Sequence, residues 1–148
     1  MGHVKNITIH KVKIWKDERG VLKFFNTFNF KGVKRFYETR NSTANPIRAF
    51  HGHLKEEKIV YPVSGKTLLC IVKINNVKNP SRKAKVRKFI LSDNNPKLVH
   101  IPAGFANGFK SLTKNSKVIF FSTLTLNESL KDDYRFPYDY WGKEVWKI

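Results

Sequence analysis

Apolar residues recur along this chain with a period of two, in short runs separated by turn-forming residues. Ile7–Trp15 alternates through Ile7, Ile9, Val12 and Ile14 and ends in the polar turn Lys16-Asp17-Glu18-Arg19-Gly20. Similar runs follow at Val21–Phe30, Val33–Thr39, Ile47–His53, Lys58–Val63, Thr67–Ile74, Val86–Leu91, Lys97–Ile101, Phe109–Leu112 and Lys117–Leu126. Between them lie Gly32, the polar loop Asn41–Asn45, Ser64-Gly65, Asp93-Asn94-Asn95-Pro96 and Pro102-Ala103-Gly104. A period of two in β-branched and aromatic residues predicts strands, because successive side chains of a strand alternate between its faces. Roughly ten short strands with no pattern for crossover helices predict an all-β sandwich or barrel. The aromatic tail from Asp132 to Trp146 is expected to add one short helical turn and a docking segment. Nothing resembling a linker or an internal repeat divides residues 1–148, so one domain is expected.

Composition narrows the picture in two ways. Twelve Phe among 148 residues supply ample core material, and the apolar runs, Leu68–Ile74 among them, are strand-sized rather than long enough to cross a bilayer. Met1–His10 has no apolar export signal, so a cytoplasmic protein with no membrane partner is expected. Cys70 stands alone inside an apolar run, which predicts a buried structural thiol. Charge is the loudest feature: 29 basic against 11 acidic residues, a formal net charge of +18. Such a field attracts nucleic acid, an anionic membrane surface or a small polyanion such as a nucleotide diphosphate. The densest stretch, Lys78–Lys88, reads equally as a solvated loop and strand edge, and Lys, Asn and Ile are abundant throughout. No zinc-finger spacing, ribonucleoprotein sequence or helix-turn-helix pattern accompanies the charge, so nucleic acid is not the expected partner.

The run Ile47-Arg48-Ala49-Phe50-His51-Gly52-His53 carries the candidate chemistry. Regular alternation puts Arg48, Phe50 and Gly52 on one face and Ala49, His51 and His53 on the other. Two imidazoles pointing side by side into a barrel interior need partners, and that need favours a site over a structural role. Both could also reach one metal ion, with Glu57 as a third ligand.

These residues fall into a recognisable order. Asp17-Glu18-Arg19-Gly20 is followed by Arg48-Ala49-Phe50-His51, by Lys58 ahead of Val63-Ser64-Gly65, and by Ile101-Pro102-Ala103-Gly104-Phe105-Ala106-Asn107-Gly108-Phe109. In this the chain resembles the dTDP-4-dehydrorhamnose 3,5-epimerase superfamily over nearly its whole length. The resemblance implies a jelly-roll fold of the cupin type with little helix, a homodimer, and no required metal or other cofactor. It also implies proton transfer at carbons beside the 4-keto group of a nucleotide-linked deoxysugar, in deoxysugar or surface-polysaccharide biosynthesis. His51 would take the acidic C–H proton, Lys58 would stabilise the enolate oxygen, and Arg48 and Arg19 would hold the sugar nucleotide and its phosphates. Asn107, standing where the motif has His, is counted with the substrate-binding residues. The chemistry suits the residue types: a neutral imidazole poised near neutrality accepts a proton, a cation stabilises an oxyanion, and arginine forks fit diphosphate.

Two departures bear on the reaction. The strand after the Gly-Phe-Ala motif carries Phe120 where the resemblance places a catalytic tyrosine, and phenylalanine delivers no proton. The resemblance also places an Asp supporting the catalytic histidine in a C-terminal region beyond Ile148. A sister branch, the dTDP-sugar 3,4-ketoisomerases, has an Arg-Gly-x-His-x-His similar to Arg48–His53 and an ending similar to Asp132-Asp133-Tyr134-Arg135-Phe136. There two histidines, here His51 and His53, shuttle protons through an enediol, and a preceding tyrosine, here Tyr37, lines the site. One net change at the sugar is therefore expected rather than a double inversion.

Overall fold

A computed structural model describes residues 6–148; the first half of the Met1–His10 stretch lies outside the described residues. Twelve strands form two five-stranded antiparallel sheets and a separate hairpin. The first sheet has the order β1 (Thr8–Lys11), β9 (Lys97–Ile101), β6 (Lys58–Ser64), β11 (Ser116–Ser122), β4 (Arg35–Asn41). The second has the order β12 (Tyr134–Arg135), β5 (Ile47–His53), β10 (Phe105–Ser111), β7 (Lys66–Lys73), β8 (Arg87–Ser92). The hairpin joins β2 (Lys13–Asp17) to β3 (Gly20–Phe24). The expected jelly roll is what the chain adopts, with one α-helix of five residues, α1 (Leu126–Leu130), and a 3-10 turn at Lys143–Trp146.

Three apolar layers follow from the alternation. Val60, Leu69, Ile71, Val99, Phe109, Val118 and Phe120 fill the space between the sheets. On the outer side of the second sheet, Phe50, Leu68, Cys70, Val72 and Ile74 meet Phe136, Trp141 and Trp146 of the tail. The run Leu68–Val72 is thus continuously apolar because β7 is covered on both faces. Cys70 is fully buried there, as expected, and burial pushes its thiol up to about 12. A thinner outer layer on the first sheet sets Val12, Ile59 and Leu98 under Phe25 and Phe28.

The structure departs from the sequence reading where the chain bends. Ile7–Trp15 is two strands, broken at Val12, whose side chain is buried and whose N–H bonds to the Pro96 carbonyl at 3.0 Å. Phe25–Phe30 is a covering segment rather than the end of a strand. The last clear run stops at Ser122, and α1 follows. Thr125 and Glu128 close a capping box at its N-terminus, a Thr-x-x-Glu signal present in the sequence. β10 begins at Phe105, four residues before the expected start. Its approach turns on Gly104 at φ 88°, a conformation that favours glycine, and the Gly104 N–H bonds to the His53 carbonyl at 2.7 Å. The long Pro-Ala-Gly-Phe motif therefore anchors the end of the histidine strand.

Candidate active site

A cavity of about 300 Å³ opens between the two sheets, and the histidine strand forms one wall. The second sheet contributes Arg48, His51 and His53 from β5, Asn107 and Phe109 from β10, and Arg135 from β12. The first sheet contributes Arg35 and Tyr37 from β4, Lys58 from β6 and Phe120 from β11. Asp133 and one side of α1 form the rim. Of the residues singled out from sequence, the structure brings together His51, His53, Lys58, Tyr37, Arg48 and Asn107.

Arg48 reaches the cavity against the alternation rule. Asn107 pairs with His51 while Phe109 pairs with Arg48, so β5 uses two residues, Ala49 and Phe50, where β10 uses only Gly108. This bulge reverses the facing of everything before it. Phe50 turns to the outer layer and is fully buried there, while Arg48 joins the histidine face and bonds Asn41 Oδ1 at 3.0 Å. A side chain at Gly108 would strike Ala49, so the bulge requires glycine opposite it.

The tail fixes the histidines. β12 pairs Tyr134 with Gly52 and Arg135 with His51. A Cβ at Gly52 would run into Ile74 and Phe136, which lets the tail pack this closely only on glycine. The Asp132 carboxylate accepts the N–H groups of Leu54, Lys55 and Glu56 at 2.8–2.9 Å, and its carbonyl accepts from His53 Nδ1 at 2.7 Å. Asp133 Oδ1 stands 3.6 Å from His51 Nδ1. A carboxylate therefore stands beside His51 within the described residues, supplied by the segment after α1.

Electrostatics tune the wall. Burial pushes the His51 imidazole below its ordinary value, Lys58 adds to the effect, and Asp133 opposes it. Burial and Lys58 likewise push His53 down against Glu56. Burial lowers Lys58, with Glu56 the main group opposing it. Tyr37 is pushed up, by burial first and then by the Glu56 charge, so its phenol keeps its proton. Tyr37 stacks on Phe120 at 5.0 Å, and Lys58 Nζ lies 5.8–5.9 Å from both rings. The position where a catalytic tyrosine was sought thus faces the cavity as an unionisable ring, with a tyrosine beside it on the neighbouring strand.

Two expected participants are elsewhere. Arg19 lies at the tip of the β2–β3 hairpin, 82% exposed, and pairs with Asp17 at 2.6 Å. Its own chain does not bring it to the cavity. Glu57 turns to the outer face of the first sheet, where its carboxylate accepts from His100 Nε2 at 2.8 Å. Lys58 faces the cavity, so in extended chain Glu56 shares its side and Glu57 does not. The donor set His51, His53 and Glu57 is not assembled, and no cluster of three metal-ligating side chains occurs among the described residues.

Reading from sequence missed Arg35, Glu56, Asp133 and Arg135. Arg35 shares the parity of Tyr37 on β4, which would have marked it. Glu56 shares the parity of Lys58, and Asp133 and Arg135 depend on the tail folding back over β5. The dense basic stretch lies apart, in the β7–β8 loop and on edge strand β8, where Arg82 stacks on Tyr140 at 4.0 Å.

Comparison with known proteins fits this arrangement. A family model described as dTDP-4-dehydrorhamnose 3,5-epimerase matches residues 2–135. The chain belongs to the dTDP-4-dehydrorhamnose 3,5-epimerase family. Within curated proteins it is similar to the spore coat polysaccharide biosynthesis protein SpsL of Bacillus subtilis, 23% identical over 139 residues, covering 92% of this chain and 91% of SpsL. Its fold matches the dTDP-4-dehydrorhamnose 3,5-epimerase of Bacillus anthracis, solved with TDP and pyrophosphate bound, at TM-score 0.78 and 21% identity over 97% of this chain and 86% of that one. It also matches a 3,4-ketoisomerase from Helicobacter canadensis at TM-score 0.69 and 18% identity, over 95% and 97% of the two chains. This epimerase-family fold therefore hosts more than one reaction among its neighbours, and the individual side chains must be weighed to choose between them.

Proposed function

We propose that the protein is an isomerase that moves protons on a nucleotide-linked 4-keto-6-deoxysugar and makes one net change per sugar. The observation that carries this reading is the wall itself. His51 and His53 stand on one strand face with carboxylates behind them, while Phe120 stands opposite where a proton donor is needed for a second inversion. In this reading His51 takes the proton beside the ketone, and Lys58 stabilises the oxyanion. His53 returns or relays the proton on the same side, and Arg48, Arg35 and Asn107 hold the sugar nucleotide. No metal or organic cofactor takes part. The relatives named above, one linked to spore coat polysaccharide and one solved with TDP, support this substrate class.

A second copy of the chain completes the assembly in this proposal. Among the described residues the β2–β3 hairpin pairs only with itself, and Trp15, Val21 and Leu22 are each more than half exposed. Apolar exposure of this kind favours association. Arg19 at the hairpin tip would then serve the neighbouring cavity. Sedimentation at micromolar concentration is expected to give a dimer, and a monomer would count against it.

The reaction is tested by incubation with a dTDP-linked 4-keto-6-deoxysugar in deuterated water and NMR of the product. Deuterium and altered configuration at a single carbon, or a shifted ketone, are expected. Two inverted, labelled carbons would favour double epimerisation with Tyr37 as the acid, a reading supported by its place beside Phe120. In that case Tyr37→Phe would remove one of the two.

A further inference from the structure

Behind the histidine wall lies a carboxylate that no substrate can touch. The Glu56 side chain has no solvent exposure, although it is surrounded by polar and charged groups. Its Oε1 accepts from Ser122 Oγ of β11 at 2.6 Å and from Arg35 Nη2 of β4 at 3.1 Å. Its Oε2 stands 3.2 Å from His53 Nδ1 of β5 and 3.8 Å from Lys58 Nζ of β6, and receives no hydrogen bond from the described residues. Asp132 accepts the Glu56 backbone N–H, and the pair His51 and Asp133 stands next along the wall. A buried carboxylate oxygen without a donor is costly, and such a group survives where its charge is useful.

Each neighbour constrains what that charge does. The Asp132 carbonyl can only accept, so the proton of a neutral His53 ring sits on Nδ1. Glu56 Oε2 lies against the same nitrogen and favours the same tautomer. Nε2 is then bare, and it has no partner among the described residues. Lys58 is 8% exposed, and Glu56 is the only carboxylate within 4.0 Å of its ammonium group among the described residues. One side chain therefore touches both the second histidine and the lysine, from behind.

We propose that Glu56 is a positioning residue that sets His53 and Lys58 together, orienting the ring with Nε2 bare and serving as the counter-ion of the lysine. This deepens the reading of the cavity as a proton-transfer site and rests on it. Burial pulls the Lys58 ammonium below its ordinary value and Arg35 assists, whereas Glu56 is the main group opposing them. Loss of the Glu56 charge would thus leave the site short of its cation in alkaline solution.

The test is Glu56→Gln, which keeps the shape and the partners of Oε1 while removing the charge. Lys58 is titrated by carbon NMR in the protein without substrate, and its midpoint is expected to fall by about one pH unit or more, tenfold in proton affinity. The alkaline limb of kcat/KM is expected to move down with it, TDP affinity to stay within about threefold, and Glu56→Asp to restore most of the midpoint. An unmoved Lys58 midpoint, with activity lost evenly at all pH, overturns the proposal and marks Glu56 as structural. Should Glu56→Gln not fold, nitrogen NMR of wild-type His53 and carbon NMR of wild-type Lys58 decide together: a ring protonated on Nδ1 beside a lysine still charged at neutral pH supports the proposal, and a ring protonated on Nε2 or a lysine neutral at that pH overturns it. These titrations need no turnover. Their success beside a failed deuterium assay would sink the isomerase reading alone, and their failure beside a working assay would sink Glu56 alone.

Discussion

Three consecutive residues, Glu56, Glu57 and Lys58, divide between two faces of the same sheet, and the faces differ in what they do with nearly identical chemistry. On the outer face Glu57 meets His100 at 2.8 Å beside a cavity of about 250 Å³ roofed by Phe25 and Phe28. On the inner face Glu56 meets His53 at 3.2 Å, next to a second pair, His51 and Asp133. The outer pair satisfies itself with one hydrogen bond. The inner pairs leave His53 Nε2 and Glu56 Oε2 without partners and add Lys58, Arg35 and Arg48 to the same space. A histidine–carboxylate contact alone thus says little. Groups left unsatisfied around a charged cavity, at a real cost in stability, distinguish the inner face and make it the candidate for chemistry.

The largest effect that would sharpen this contrast is His51→Asn. It is expected to cut solvent-deuterium exchange on the keto-sugar by about 10²–10⁴-fold while TDP binds within a few fold. Exchange at the normal rate would show that the inner face is no more catalytic than the outer.

A smaller effect concerns pH. His51 and His53 have folded values pushed below the ordinary imidazole value of 6.5, mainly by burial. The unfolded chain therefore binds more protons than the folded one between 6.5 and those lowered values. Stability from keeping the two rings neutral is present above 6.5 and is lost as pH falls through that window. Denaturant titrations at pH 7.5 and 5.5 are expected to show lower stability at pH 5.5. The decline should weaken in a His51→Asn, His53→Asn double variant, and an unchanged decline would assign it to other groups.

The smallest effect belongs to the outer pair. Glu57→Gln is expected to leave turnover within about twofold and to cost about 0.5–1.5 kcal/mol of stability, the ordinary range for one hydrogen bond. A large fall in activity would break the comparison by joining the two faces into one site.

Much of this was legible in the sequence. Period-two alternation points to the strands, whereas the covering of both faces of Leu68–Val72 emerges only from the packing of the tail on the second sheet. His51, His53 and Lys58 were located by the strands they occupy. Arg48 was misplaced because alternation assumes an unbroken register, and the bulge at Ala49–Phe50 lies in the pairing with Gly108, which no single strand reveals. Spacing after His53 points to Glu57 as a possible metal ligand, whereas the structure turns Glu56 toward His53. The chain leaves β5 through a turn clamped by Asp132, so parity had to be counted from Lys58 instead. Asp133 went unplaced because its role depends on a contact across 82 positions with His51, carried by a two-residue strand too short to leave a pattern.

That contact also orders events in time. Protein synthesis delivers His51, His53 and Lys58 early, but Asp132, which bonds the His53 ring, emerges 79 residues after it, and Asp133, which stands beside His51, follows. Phe136, Trp141 and Trp146, which seal the back of the same strand, come later still. Closing so long a segment is slow compared with forming a local turn. A nascent chain therefore carries His51 and His53 for about half of its synthesis without their partners, and the wall of the cavity is completed only when the tail has been released and has docked.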